Sequence, residues 1–269
     1  QNGITGSFNA STGLMTLSGT ASLANYQTAL RAVTYQNGDT DNPTTSTRMV
    51  TFTINDGTGD SNTQTRAISI TPVNDNPVHT VPGGQSTNED GTLTFSSGNG
   101  NLISVADVDA ASSSVQVTLT STNGTATLSG TSGLTFSSGD GSADASMVFT
   151  GNLTNINSAL AGMTFAPTAN FNGSGSVQIQ TSDQGNTGSG GAQSDNDTVT
   201  ITVNAVNDNP VLAGVEGSTL AYTEGDAAST ISASVTTADV DDTQIENATV
   251  QITTNLDNTE DVLAFTNQN

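Results

Sequence analysis

Cysteine, lysine and tryptophan are absent from this 269-residue chain; arginine occurs three times and histidine once. Without cysteine no disulfide can staple a core, although that absence does not fix a compartment. Without lysine a Lys–Asn isopeptide crosslink is impossible. One histidine and no cysteine exclude the usual zinc sites and Cys-His dyads. A Ser-His-Asp triad would need His79, and nothing around it resembles a nucleophile elbow. His79 stands two residues after Pro77 and is expected to face solvent. Paired carboxylates for glycoside hydrolysis usually come with aromatic sugar platforms, and with 4% aromatic residues and no Trp the chain offers few. The expectation is that this is not an enzyme. No run of 18 apolar residues exists, so no membrane span is expected. The sequence begins at Gln1 with neither Met nor a signal peptide, so a processed product or a window of a longer polypeptide is expected.

What is present is acid. Asp and Glu total 25, for a net charge of −22. Such a surface repels nucleic acid and anionic membrane and attracts divalent cations. Charged residues are only 10% of the chain, so Ser, Thr, Asn and Gly supply most of the polarity, which suits strands and turns. Hydrophobic content is a lean 32%, yet apolar residues alternate: Val50, Phe52 and Ile54; Val115, Val117 and Leu119; Val177 and Ile179; Val199, Ile201 and Val203. Alternation of this kind means half-buried strands.

The pentapeptide Val-Asn-Asp-Asn-Pro occurs at 73–77 and again at 206–210, 133 residues apart. Each copy precedes an Asp-Val-Asp triplet, Asp107 and Asp109 after the first, Asp239 and Asp241 after the second. A repeat of that length is a domain. Residues 77–209 are therefore read as one complete domain, 1–76 as the C-terminal part of another, and 210–269 as the N-terminal part of a third. Leu23, Tyr26, Ala29, Leu30, Val33 and Tyr35 match Leu153, Ile156, Ala159, Leu160, Met163 and Phe165 at a constant offset of 130, both segments reading as a short helix leading into a strand. Asp56 matches Asp183 at an offset of 127. Overlapping the Gln-Asn that closes the chain with the Gln-Asn that opens it gives a domain of 134 residues, against 133 for the intact one. The expectation is a longer polypeptide repeating about every 267 residues, or chains completing one another head to tail. Strands are expected near 92–95, 102–106, 115–120, 125–128, 133–136, 146–150, 163–166, 175–181 and 197–204, the spacing of a Greek-key sandwich. The fold class is thus all-β: tandem Greek-key β-sandwiches, one intact and two partial.

At these residues the chain resembles the cadherin-like repeats of large bacterial surface adhesins. Its linker is similar to the cadherin Asp-x-Asn-Asp-Asn calcium motif, and the downstream Asp-x-Asp to the pair that reaches back to the same ions. The ion-facing Glu near the start of a cadherin domain has counterparts in Glu89 and Glu224. The chain departs from the pattern in carrying Pro72 and Ala205 where the motif has its first Asp, and in lacking any Asp-Arg-Glu segment. One or two ions per junction is then the expectation, in place of three. The resemblance implies Ca2+ held by Asn74, Asp75, Asn76, Asp107 and Asp109 at the first junction, and by Asn207, Asp208, Asn209, Asp239 and Asp241 at the second, with Glu89 and Asp183 as upstream ligands of the second junction.

Calcium takes six to eight oxygen ligands, whereas magnesium demands a tight octahedron and keeps its waters. The bland alternative is that Asn-Asp-Asn-Pro is only a turn. Asp56 and Asp60 form half of a calcium loop without a closing Glu, which fits a solvated hairpin equally well; Asp257, Glu260 and Asp261 read as an exposed loop; Asp195 and Asp197 receive no role. The functional expectation is a structural repeat of an extracellular fibre or adhesin stalk for cell-surface adhesion or biofilm matrix. Its partners would be neighbouring repeats or identical chains in a filament. The alternative is a module binding glycan or protein, for which the glycine-rich 183–197 loop is the one pointer.

Overall fold

The computed structural model describes residues 3–266. The terminal Gln-Asn dipeptides therefore lie outside the described residues. Residues before the first linker form two hairpins and a helix: β1 (Thr5–Asn9) with β2 (Leu14–Ser18), α1 (Leu23–Arg31), and β3 (Arg48–Phe52) with β4 (Gln64–Ile68). The next unit carries β5 (Val78–Thr80), β6 (Gln85–Asn88), β7 (Leu93–Thr94), β8 (Ser104–Ala106), β9 (Ser114–Thr122), β10 (Gly124–Thr127), β11 (Thr135–Ser138), β12 (Ser146–Asn152), α2 (Leu153–Leu160), β13 (Thr164–Pro167), β14 (Gly173–Ser182) and β15 (Ser194–Asn204). After the second linker come β16 (Val211–Ala213) and β17 (Thr236–Ala238). The chain is mostly β, as the alternating residues imply.

In the central unit a six-stranded sheet runs β11-β12-β9-β14-β15-β6, and a three-stranded sheet runs β10-β13-β7. Pairing is antiparallel except for β15 with β6, which is parallel. The core lies between the sheets. Val115, Val117 and Leu119 point inward from β9, Val177 and Ile179 from β14, Val199, Ile201 and Val203 from β15, because side chains alternate faces along a strand. Phe95, Phe149 and Phe165 fill the centre with no exposure at all. Gly124 is required where β10 meets β13, since a Cβ there would lie 2.5 Å from both the Ala166 carbonyl and the Phe165 ring.

The helix expected before the strand at 163–166 is α2. The Asn152 side chain accepts from the Asn155 N–H at 2.9 Å, and Ile156, Ala159 and Leu160 are buried. The matching helix α1 is capped in the same way by Ser22, but buries only Ala29; Leu23, Val33 and Tyr35 remain exposed. From 79 to 205 the only exposed large apolar side chain is Val108, while residues 8–78 and 206–265 carry all the others, among them Leu23, Val262 and Phe265 at about 85%. Among the described residues no strand of 3–76 pairs with a strand of 210–266.

His79 corrects the sequence expectation. Two strands before residue 92, β5 and β6, were not expected. In β5 the burial runs exposed, buried, exposed, and His79 is the inward residue. The strand period overrides the hydrophilicity of the side chain.

Candidate metal centre

Each linker proline opens a short strand that pairs with the strand ahead of the Asp-x-Asp triplet. Val78 lies opposite Ala106 in β5–β8, and Val211 opposite Ala238 in β16–β17. Asp107 and Asp239 are the very next residues, so the antiparallel register delivers each triplet to the linker that precedes its domain. Asn157 of α2 fixes β8 further: its Oδ1 accepts from the Val105 N–H and its Nδ2 donates to the Val105 carbonyl, each at 2.8 Å.

The same hydrogen-bond circuit closes at both junctions. At the first, Asp107 Oδ1 accepts from the N–H groups of Asp109 (3.1 Å) and Ala110 (3.0 Å), and Asp109 Oδ2 accepts from the Asp75 N–H at 2.9 Å. At the second, Asp239 Oδ1 accepts from Asp241 (3.2 Å) and Asp242 (3.1 Å), and Asp241 Oδ2 accepts from the Asp208 N–H at 3.2 Å. Each first Asp thus forms an Asx turn that points the second one at the linker.

The circuit consumes one oxygen of each carboxylate and leaves the other. Six buried side-chain polar atoms lack a partner among the described residues: Asn74 Oδ1, Asp75 Oδ2, Asp107 Oδ2, Asp109 Oδ1, Asp208 Oδ2 and Ser121 Oγ. Five of the six belong to linker or Asp-x-Asp residues. Buried oxygens without a donor are costly, about 1–3 kcal/mol each, so their concentration here fits a bound cation. Hard oxygen donors, mixing carboxylate and amide, suit a hard divalent cation. The carboxyl of Asp107 is pushed up to about 6, first by burial and then by Asp109 beside it. Two carboxylates that cannot both ionise comfortably mark a place where positive charge is favoured. At the second junction the carboxyl of Asp241 is likewise raised by its neighbour Asp239, whose own is lowered. Oxygens of Asp239, Asp241 and Asp242 lie within 4.8 Å of one another there.

The junctions differ in cover. At the first, the loop after β14 folds over the linker. Asp183 is fully buried; its Oδ2 accepts from Asn74 Nδ2, and its Oδ1 accepts from the N–H groups of Gly185 (2.7 Å) and Gln193 (2.8 Å). Asn74 Nδ2 also donates to the Gly191 carbonyl at 2.9 Å. The Ser189 N–H and hydroxyl donate to the Pro72 carbonyl at 2.9 and 3.1 Å. Gly188 lets the loop pass this close, since a Cβ on it would stand 2.6 Å from the Asn74 nitrogen. Gly188→Ala should therefore destabilise the junction by roughly 1–3 kcal/mol and expose the 72–74 backbone, read as faster proteolysis between 66 and 77.

Asp183 is thus a residue of the first junction, where the sequence reading had it at the second. Glu89 is buried and does stand at the second: its Oε1 accepts from the Val206 N–H at 2.6 Å. Asn76, Asn207 and Asn209 are exposed at their linkers. Asp56 makes only local hydrogen bonds among those described. It is exposed in a hairpin, where Thr58 and Gly59 donate to it and hold its carboxyl low. Glu224 is exposed in a turn. Asp41, which the sequence reading passed over, lines an open groove of about 650 Å3 at the first junction together with Asn74, Asp75, Asn76 and Asp107. Beside it the Asn42 amide donates to the Val108 carbonyl at 3.3 Å. The signal was present: Asp39-Thr40-Asp41 is a further Asp-x-Asp, and Asp39 accepts from the Asp41 and Asn42 N–H groups as Asp107 does from its own neighbours.

Among the described residues no helix is long and apolar enough to cross a membrane. A scan against protein-family models gave no match to the chain, and a search of curated proteins gave none either.

Proposed function

We propose that this chain is a structural segment of an extracellular fibre or adhesin stalk, built of tandem Greek-key sandwiches of the cadherin-like kind and stiffened by calcium at its linkers. The observation that carries this reading is the identical circuit at 75/107/109 and 208/239/241, with four unpartnered buried oxygens at the first junction and one, Asp208 Oδ2, at the second. Asp75, Asp107, Asp109 and Asn74 would hold the ion at the first junction; Asp208, Asp239 and Asp241 would hold it at the second. When bound, calcium supplies charge neutralisation and a bridge between two consecutive domains. The protein residues do the positioning: Asx turns aim the carboxylates, and the loop 183–193 holds the Pro72–Asn74 backbone and side chain in place at the first junction.

The alternative of a glycan- or protein-binding module rested on the glycine-rich loop. Its Gly188 and Ser189 lie on the linker, which accounts for that loop without a ligand.

The exposed apolar faces of 3–76 and 210–266 fit the same reading, with each half completed by the other in a continuing or neighbouring chain. The loop bearing Asp56 would then stand to Asn207 as the loop bearing Asp183 stands to Asn74. Glu224 would stand to the next linker as Glu89 stands to Val206.

Calcium titration of three variants tests the ligand assignment. Asp109→Ala and Asp241→Ala should each remove binding at one junction only. Asp257→Ala should bind as the parent does, because Asp257 only closes a local turn onto Thr259. Equal loss in all three would reduce the effect to bulk charge.

A further inference from the structure

The central unit holds a second convergence of ligand atoms, away from the linker carboxylates. His79 Nδ1 lies 3.2 Å from Asp197 Oδ2 and 3.5 Å from Asp195 Oδ2, and the three atoms are within 4.8 Å of one another. The His79 side chain has no exposure, and those of Asp195 and Asp197 have 31% and 40%. The other ring nitrogen, Nε2, is 2.8 Å from Thr181 Oγ1, and Thr181 is itself fully buried. Thr181 lies opposite Asp195 in the β14–β15 register, and Asp197 is two residues on, so all three sit on one face of the sheet edge. The His79 N–H donates to Asp195 Oδ2 at 2.8 Å, which fixes that carboxylate.

We propose that His79, Asp195 and Asp197 form a site for a divalent transition ion of the Zn2+ class, distinct from the calcium positions. Metal–nitrogen and metal–oxygen bonds of about 2.0–2.2 Å set ligand-to-ligand edges of roughly 3.3–3.5 Å in a tetrahedron. The observed 3.2 and 3.5 Å lie close to such edges; the shorter is also within hydrogen-bond range, whereas 3.5 Å is long for a hydrogen bond. The buried Nε2 contact supplies what a metal-bound imidazole needs, a partner for its far N–H that fixes the ring and turns Nδ1 toward the ion. Imidazole with two carboxylates suits a borderline ion better than calcium, which prefers oxygen alone. Three protein ligands, two of them partly exposed, leave a fourth position for water.

The fold does not require this set. At the linker offset of 133 residues, Leu212 replaces His79, and Asn62 and Gln64 replace Asp195 and Asp197; at the offset of 127, Ile54 replaces Thr181. All four positions change together, from three ionisable groups and a threonine to an apolar pair with two neutral amides. The ion would tie β5, the first strand after the linker, to the base of the 183–193 loop that covers the calcium junction.

His79 is the chain's only histidine, so its imidazole gives one pair of 15N resonances. The experiment is titration of the full chain with Zn2+ in excess Ca2+, followed at those nitrogens and by calorimetry. The expected result is one equivalent bound, a displaced Nδ1 resonance and a retained proton on Nε2. Asp197→Asn, at a half-exposed position that leaves the core intact, should abolish the Nδ1 displacement, and His79→Gln should abolish the calorimetric equivalent. Resonances that stay put at saturating Zn2+, or an Asp197→Asn protein that responds as the parent does, would overturn the proposal. If His79→Gln fails to fold, the Asp197→Asn comparison decides.

Discussion

Chelating calcium should soften and destabilise the protein. An ion bound only by the folded state contributes about 2.7 kcal/mol when present at a hundred times its Kd. In a domain of this size that corresponds to a fall in Tm of roughly 10 °C. The repulsion left at each junction, with Asp75, Asp107 and Asp109 at one and Asp208, Asp239 and Asp241 at the other, should also bend the linkers. Small-angle scattering would then report a broader distribution of shapes, and proteases would cut near 73–77 and 206–210. Acid gives the same prediction a sign. Asp107 takes up its proton at about 6 in the folded state and at the ordinary 3.8 in the unfolded chain. Between those values the folded state binds more protons, so this group adds stability to the chelated protein as pH falls from above 6 to below 3.8. With calcium present the proton competes with the ion, and the contribution reverses. Asp107→Asn should remove both trends. A melting curve and scattering profile indifferent to chelator would refute the calcium reading.

Joining residues 206–269 directly to 3–76 should create a folded domain. Each segment leaves its apolar face in water: Leu23, Val33 and Tyr35 on one, Leu220, Tyr222 and Val262 on the other. In the central unit the positions matching Leu23, Val33 and Tyr35 are Leu153, partly buried against the core, and Met163 and Phe165, fully buried. Full burial of a side chain of this size is worth roughly 1.5–3 kcal/mol, and a dozen of them separate a folded domain from a disordered one. The joined chain should melt cooperatively near the Tm of the 77–209 unit, and each segment alone should show no transition. In the joined chain Asp56→Ala should weaken calcium at the 206–210 linker, because the 127-residue match with Asp183 puts that carboxylate over Asn207. A joined chain without a cooperative transition would sink the idea that these halves complete each other.

Several features were legible along the chain because they are local. The Asx turns at Asp107 and Asp239 depend on residues two and three positions away, so the Asp-x-Asp spacing announces them. Most strands followed from alternation, and the helix 153–160 from its match to 23–31. Short β5 and β6, with polar residues such as His79 and Gln85 on them, gave no alternation to read.

By itself, then, the sequence determined an all-β chain, the repeated acidic junctions and the pairing of each linker with the triplet that follows it. Tertiary structure decided which pole each residue reaches. Ten residues of β14, at about 3.3 Å each, carry the chain roughly 30 Å from the Glu89 end to the Asn74 end before Asp183 is reached. Reversal of strand direction, invisible in a one-dimensional offset, moved Asp183 from the second junction to the first. The same long-range registry buried His79 beside Asp195 and Asp197, residues 116 and 118 positions away. Contacts at such separations come from the stacking of strands, which no local spacing encodes.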